Sequence, residues 1–132
     1  MARDGFVEYT RSSRYLDLIG PLYERRGDGS VVGLVIDERH TNSRGMLHGG
    51  VLVAIADTVM GHTSERAATG TRLVTVSLST DFLGAARLGE WVQGHATVRR
   101  SGTRMAFASC AFHVEDRLIL TASGVFATTS TN

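Results

Sequence analysis

The residue types able to do chemistry concentrate in one stretch, Asn42 to Ala67, which reads NSRGMLHGGVLVAIADTVMGHTSERA. Gly45, Gly49 and Gly50 open it, and Val51, Leu52, Ile55, Val59 and Met60 follow at three- and four-residue steps, the spacing of one helical face. The start of such a helix offers unpaired N–H groups and the positive end of the helix dipole. Glycines there let a ligand come close to the backbone. Together these can stabilise negative charge growing on a carbonyl oxygen. Asp57 is the one charged residue between Gly49 and Gly61. A carboxylate inside so apolar a run either points away from the core or acts, by attacking an electrophile or by activating water.

Each of these residues also has a plain structural reading. Asp57 can be a solvated carboxylate, and Gly49 and Gly50 can serve only the turn. His48 suits a turn-orienting hydrogen bond. Asn42 alone is a loop residue, Thr75 an ordinary strand threonine, and Asp81 and His62 belong to the surface or the rim of a pocket. The lone Cys110 sits in an alternating segment and reads as core filler.

The elements that position this stretch read mostly as strand. Ser12 or Ser13 caps a short helix through Tyr15, Leu16, Leu18 and Ile19, ended by Gly20-Pro21. Leu22 to Arg26 is a candidate strand, Gly27-Asp28-Gly29 a hairpin turn, and Val32, Leu34 and Ile36 mark a half-buried strand. The long helix spans Gly49 to Ala67. After it, Val74, Val76 and Leu78 are expected on one face of a strand and Thr75, Ser77 and Ser79 on the other. Trp91 to Arg99, Met105 to Val114 (Ala106, Ala108, Cys110, Phe112 and Val114 on one face) and Leu118 to Thr128 complete the set. Short turns imply antiparallel neighbours. The expectation is one α+β domain over residues 1–132, an antiparallel sheet wrapped around one long central helix.

Composition narrows the classes. At 132 residues the chain can bury one core, and 42% hydrophobic with 20% charged residues is ordinary globular material. A formal net charge of +1 gives no bulk attraction to nucleic acid or to anionic membrane. The longest aliphatic run, Val51 to Ala56, is far too short to span a bilayer. The N-terminus lacks a signal-peptide h-region, and one cysteine suits a reducing compartment, so a cytoplasmic location is expected. No metal-ligand or P-loop spacing is present, and no metal or cofactor is expected.

The element order, with Asn42-x-x-Gly45-x-Leu47-His48-Gly49-Gly50 leading into the helix and Asp57 beyond, resembles the hotdog-fold acyl-CoA thioesterases. More narrowly it is similar to the branch acting on phenylacetyl-CoA and related thioesters. Phe82 and Gly89-Glu90 also fall at family positions, while Leu83-Gly84-Ala85 lacks the proline often found after the aromatic. The resemblance implies a hotdog fold and hydrolysis of an acyl-CoA to acid and CoA, with coenzyme A present only as part of the substrate. It implies a Gly49 N–H that polarises the thioester carbonyl, Asn42 near the same oxygen, and Asp57 as nucleophile or general base. Thr75 would place Asp57 or the water. The acyl pocket would draw on apolar residues of the long helix and on Phe82, and His48 and Gly50 are counted with the substrate-binding residues, the role of His48 left open.

Helix geometry adds a constraint. Asp57 lies eight residues beyond Gly49, so the two are ~12 Å apart along the axis and turned by ~80°. One carbonyl cannot touch both within a single helix. If both act on it they come from different chains, which implies a homodimer with shared sites and antiparallel long helices, or a dimer of dimers. Arg99, Arg100 and Arg104 flank a Ser101-Gly102-Thr103 turn, and guanidinium groups suit the phosphates of coenzyme A. The competing reading is a solvated hairpin tip. Two other classes compete with hydrolysis: a hotdog hydratase or dehydratase, for which His62 would be the histidine, and a non-catalytic acyl-CoA-binding subunit.

Overall fold

The structure is a computed structural model and describes residues 2–129. In order it contains β1 (Phe6–Glu8), α1 (Arg14–Ile19), β2 (Tyr23–Arg25), β3 (Asp28–Val35), a short 3-10 helix (Glu38–His40), α2 (Gly49–Ala67), β4 (Leu73–Phe82), β5 (Trp91–Ser101), β6 (Met105–Val114) and β7 (Arg117–Thr128). The strands form a 7-stranded sheet in the order β1-β2-β3-β5-β6-β7-β4, antiparallel at every pairing. It curls around α2, which packs against β3, β4, β5, β6 and β7. This is the hotdog arrangement.

The sequence explains the wrap. Leu52, Ile55, Ala56, Val59 and Met60 are all buried; sinking each large one stabilises the fold by about 1.5–3 kcal/mol. Alternation on β6 holds: Ala106, Ala108, Cys110, Phe112 and Val114 are the buried set. Ser13 caps α1 by accepting the Leu16 N–H. The end of α1 is held from the 3-10 helix. The Arg39 guanidinium donates to the Leu18 and Gly20 carbonyls, and the buried His40 ring meets the Ile19 carbonyl.

Four expectations need correction. β1 was not foreseen; three residues are too few for a periodic pattern. β3 is not half-buried, since Val31, Val32, Gly33 and Leu34 are all buried. The Trp91 ring lies so close over Gly33 that a Cβ there would fall 1.9 Å from it, and Phe6 packs edge-on to Trp91 at 5.1 Å. β4 and β5, consecutive in sequence, are not neighbours: β4 pairs with β7 at one end of the sheet. The link from Leu83 to Glu90 is a crossover rather than a hairpin turn.

The fourth correction bears on the site. The alternation expected along β4 fails because its register shifts between Thr75 and Ser77. Thr75 pairs with the buried Phe126, while Ser77 pairs with Val125 and Ser79 with Ser123. The extra residue, Val76, turns Thr75 toward the helix while Ser77 and Ser79 face outward.

Candidate active site

The loop that delivers α2 is tied down by backbone. Asn42 N–H donates to the Met46 carbonyl at 2.7 Å, Leu47 N–H to Ala86 at 2.8 Å and His48 N–H to His40 at 2.7 Å. The Asn42 side-chain oxygen accepts the Arg44 N–H at 2.9 Å and the Met46 N–H at 3.2 Å, an Asx-type turn. Gly45, with φ of 75°, supplies the left-handed residue the turn requires.

His48 is the N-cap. Its Nδ1 accepts the Gly50 N–H at 2.9 Å, so in the neutral ring the hydrogen sits on Nε2. That bond takes Gly50 N–H out of use. Gly49 N–H has no partner among the described residues and stands at the positive end of α2. The Phe82 ring rests against Gly49, where a Cβ would lie 2.6 Å from Phe82 Cε1.

Asp57 lies half-buried on the flank of α2 that faces β4. Thr75 Oγ1 donates to its Oδ1 at 2.6 Å. The bulge at Val76 therefore has a visible consequence, since it aims Thr75 at the carboxylate. Among the described residues Asp57 has no ion-pair partner, so its second oxygen is open. Asp57 and Gly49 remain on one helix, ~12 Å apart along its axis.

The hairpin residues form a separate group. Ser101, Gly102 and Thr103, with Thr69, Thr71 and Leu73, line a cleft of about 310 Å³ beside the C-terminal end of α2. Arg100 and Arg104 are exposed next to it. The register shift between Val98 and Arg100 makes Arg99 the extra residue of β5. Arg99 joins His95 and Thr97 around a dish of about 470 Å³ on the outer face of the sheet, remote from Asp57. That dish is the larger opening, but it contains neither helix-start donors nor the open carboxylate. Asp81 also borders it.

Several supporting residues escaped the sequence reading. Glu65, in the last turn of α2, accepts the Leu73 N–H at 2.8 Å and pairs with Arg11 at 2.6 Å, fixing where β4 begins. Burial alone would raise this carboxyl, but the Leu73 N–H and the Arg11 guanidinium outweigh it and hold it below the usual glutamate value. A glutamate at the negative end of a helix dipole was the available signal. Tyr9 hydroxyl meets His62 Nδ1 at 2.6 Å. Cys110 is the core filler expected; burial pushes its thiol up to about 12.

The thioesterase superfamily model matches residues 44–121, which span the α2 entry, Asp57, Thr75 and Phe82. The chain belongs to the thioesterase superfamily. It is 44% identical over 126 residues to "Putative esterase PA0474" of Pseudomonas aeruginosa, covering 93% of this chain and 94% of that protein. It is 32% identical over 77 residues to acyl-coenzyme A thioesterase 13 of the mouse, covering 56% of this chain and 53% of that protein. Among solved structures it resembles the conserved protein PA5202 of Pseudomonas aeruginosa, with a TM-score of 0.81, 27% identity, and coverage of 89% of this chain and 95% of that one. As a member of this superfamily it is a thioester hydrolase, and α2 with its glycine entry lies in the matched region.

Proposed function

We propose that the chain hydrolyses aryl- or medium-chain acyl-CoA to free acid and CoA in the cytoplasm, with no metal or cofactor beyond the coenzyme A of the substrate. Gly49 N–H polarises the thioester carbonyl, and Asp57 attacks it or activates the water that does. The observation that carries this reading is the Thr75–Asp57 bond of 2.6 Å on a carboxylate with no ion-pair partner among the described residues. Thr75 directs one carboxylate oxygen and leaves the other for the reaction. Asn42, its Oδ1 engaged by the turn, presents its amide N–H groups near the same carbonyl. His48 and Gly50 shape the helix start, and Phe82 shields it. Hydration chemistry fits less well, because His62 Nδ1 is engaged by Tyr9 rather than by Asp57.

The site is read as shared between two copies. β4 is 10 residues long, pairs among the described residues only with β7, and exposes Val74 at 50% and Val76 at 58%. Phe82 marks the Gly49 end of this strand and Thr75 the Asp57 position. Two copies pairing antiparallel about the middle of β4 bring Thr75 of one toward Phe82 of the other. Asp57 then faces the Gly49 of the second α2, and one carbonyl can meet both groups. Such dimers can pair again into a dimer of dimers. Arg100 and Arg104 are assigned to the phosphates of coenzyme A, with Arg99 at the margin and Ser101, Gly102 and Thr103 forming the adjoining cleft.

The mouse relative's name supports the acyl-CoA class. The test is thiol release over a panel of acyl-CoA thioesters. Asp57→Asn keeps the shape of the site and should lower kcat at least a hundredfold, ~2.7 kcal/mol. If that variant kept more than about a tenth of wild-type kcat, Asp57 would not be the acting carboxylate.

A further inference from the structure

On the flank of α2 away from β4, the helix and the N-terminal segment enclose a cleft of about 340 Å³, lined by Arg11, Ser12, Ser13, Leu16, Thr58 and His62. Thr58 follows Asp57 directly, and helical geometry turns the two about 100° apart. Ala54 lies one turn before this pair and Gly61 one turn after it. Next to this pair the flank between Asp57 and Thr58 is therefore lined by Ala54 and Gly61, with the Phe126 ring beside Gly61 and Glu65 on the same flank two turns on. At a helix radius of about 5–6 Å the arc across it is about 10 Å, the length of a medium acyl chain.

The polar groups of the cleft are held in fixed states. Tyr9 is buried, its ring stacks on His62 with centroids 5.6 Å apart, and its hydroxyl lies 2.6 Å from His62 Nδ1. Burial pushes that hydroxyl up to about 12, so it keeps its proton, and the Arg66 guanidinium sits beside it. The Arg66 guanidinium takes up the hydroxyl oxygen as acceptor, which assigns the hydroxyl as donor to Nδ1 and the ring hydrogen to Nε2. Nε2 has no partner among the described residues. Burial also lowers the His62 pKa, which keeps the ring neutral. Thr58 hydroxyl donates to the Ala54 carbonyl at 2.9 Å, so its oxygen is left as an acceptor. Arg11 is paired with Glu65 at 2.6 Å and brings no uncompensated charge.

A neutral donor beside a neutral acceptor selects among acyl ends. Arg66, which has no ion-pair partner among the described residues, lies beside Tyr9, so the cleft holds a cation as well as these neutral groups. A purely hydrocarbon end would strip water from the Nε2–H without replacing it. We infer that this cleft receives the far end of the acyl group and selects an oxygen there, such as a hydroxyl or a carbonyl, held by His62 Nε2–H. The inference rests on the acyl-thioester reading above and narrows its substrate class. His62 is then a specificity-determining residue, and Tyr9 positions it by fixing the tautomer.

The test compares ω-hydroxyoctanoyl-CoA with nonanoyl-CoA, which differ by hydroxyl against methyl at equal length. The readout is the ratio of their kcat/KM values. In His62→Phe that ratio should fall about tenfold against the hydroxylated substrate, the worth of one hydrogen bond, through KM rather than kcat. Tyr9→Phe is the milder change. It keeps the imidazole, frees its tautomer, and should lower the ratio about two- to threefold, since half the rings then present an acceptor. A ratio unchanged in both variants, with both thioesters hydrolysed, would overturn the inference and leave the hydrolase reading standing. If neither thioester releases thiol, calorimetric binding of both to the Asp57→Asn protein decides instead. A preference lost in His62→Phe supports the subsite, and equal Kd values sink it.

Discussion

Gly49→Ala probes the helix start at its tightest point. The new Cβ would lie 2.6 Å from Phe82 Cε1, 3.1 Å from Cζ and 3.3 Å from Cδ1. Ordinary carbon contacts are about 3.5–4.0 Å, so the ring must move by ~1 Å. Phe82 is 56% exposed at the end of β4 and has room to swing. Folding should therefore suffer little, less than ~1 kcal/mol. Activity should suffer more. The N–H is retained in alanine, but the methyl and the displaced ring occupy the approach to it. A ~1 Å misplacement at a reacting centre costs on the order of 10²-fold, ~2.7 kcal/mol. Steady-state thiol release gives kcat and KM, and thermal unfolding checks the fold. Combining Gly49→Ala with Phe82→Ala should recover about tenfold relative to Gly49→Ala alone, with Phe82→Ala measured as the reference. If Gly49→Ala stayed within about threefold of wild type, the carbonyl would not approach this backbone and the proposed role of Gly49 would be refuted. A loss that Phe82→Ala does not ease would refute the displaced ring as the cause and assign the block to the methyl.

Three further outcomes are expected. Arg100→Ala and Arg104→Ala should each raise KM for a full acyl-CoA about three- to tenfold but leave KM for the matching acyl-pantetheine unchanged; equal effects on both would return them to a solvated hairpin tip. Glu65 is held below its ordinary value of 4.5, so its contribution to stability is full above that pH and is lost as pH falls through the lower folded value. Thermal unfolding of Glu65→Gln should therefore start from a lower midpoint at neutral pH and show a flatter decline below about pH 4.5 than wild type. Mixing Asn42→Ala with Asp57→Ala chains through refolding should return roughly a quarter of wild-type activity, because half the dimers are mixed and each holds one intact site of two. Verified mixed dimers with no activity above their parents would end the shared-site reading.

Much of this architecture was legible because its signals are local and periodic. The face of α2 from Val51 to Met60, the alternation from Ala106 to Val114, and the Ser13 and Gly20 boundaries of α1 each rest on side-chain spacing or capping. The turn residues from Asn42 to Gly50 were legible for the same reason. What was not legible depends on tertiary register. Val76 gives no sign in a run of alternating Val, Thr and Ser that it is an extra residue, yet it decides which way Thr75 points. The placement of β4 beside β7 follows from the crossover at Leu83 to Glu90, which no short-range pattern announces. The burial of Gly33 depends on an indole from another strand. Likewise the Tyr9–His62 pair joins residues 53 apart, and neither residue alone predicts the other.

The edge of the sheet and the chemistry of the helix ask for the same partner. A long strand with one free side is a template for uncontrolled pairing, and proteins commonly blunt it with lysine, proline or a short length. β4 has none of these: it runs Leu73–Phe82 with no lysine or proline, one bulge, and Asp81 as its one charge. Its exposed Val74, Val76 and Phe82 are apolar surface with no cover in a lone chain. A second copy would satisfy the free backbone groups and cover those side chains. On the proposed reading the same approach would set the open oxygen of Asp57 against a Gly49 N–H that has no partner within its own chain among the described residues. In that reading each half of the site needs the second copy for a geometric reason, the ~12 Å along α2 that separates Asp57 from Gly49. Charges placed on β4 are therefore a sharper probe than charges elsewhere on the sheet. Val76→Lys should weaken self-association and activity together while leaving the fold of each chain intact. A monomeric Val76→Lys protein with full thiol-release activity would break the link between the edge and the site.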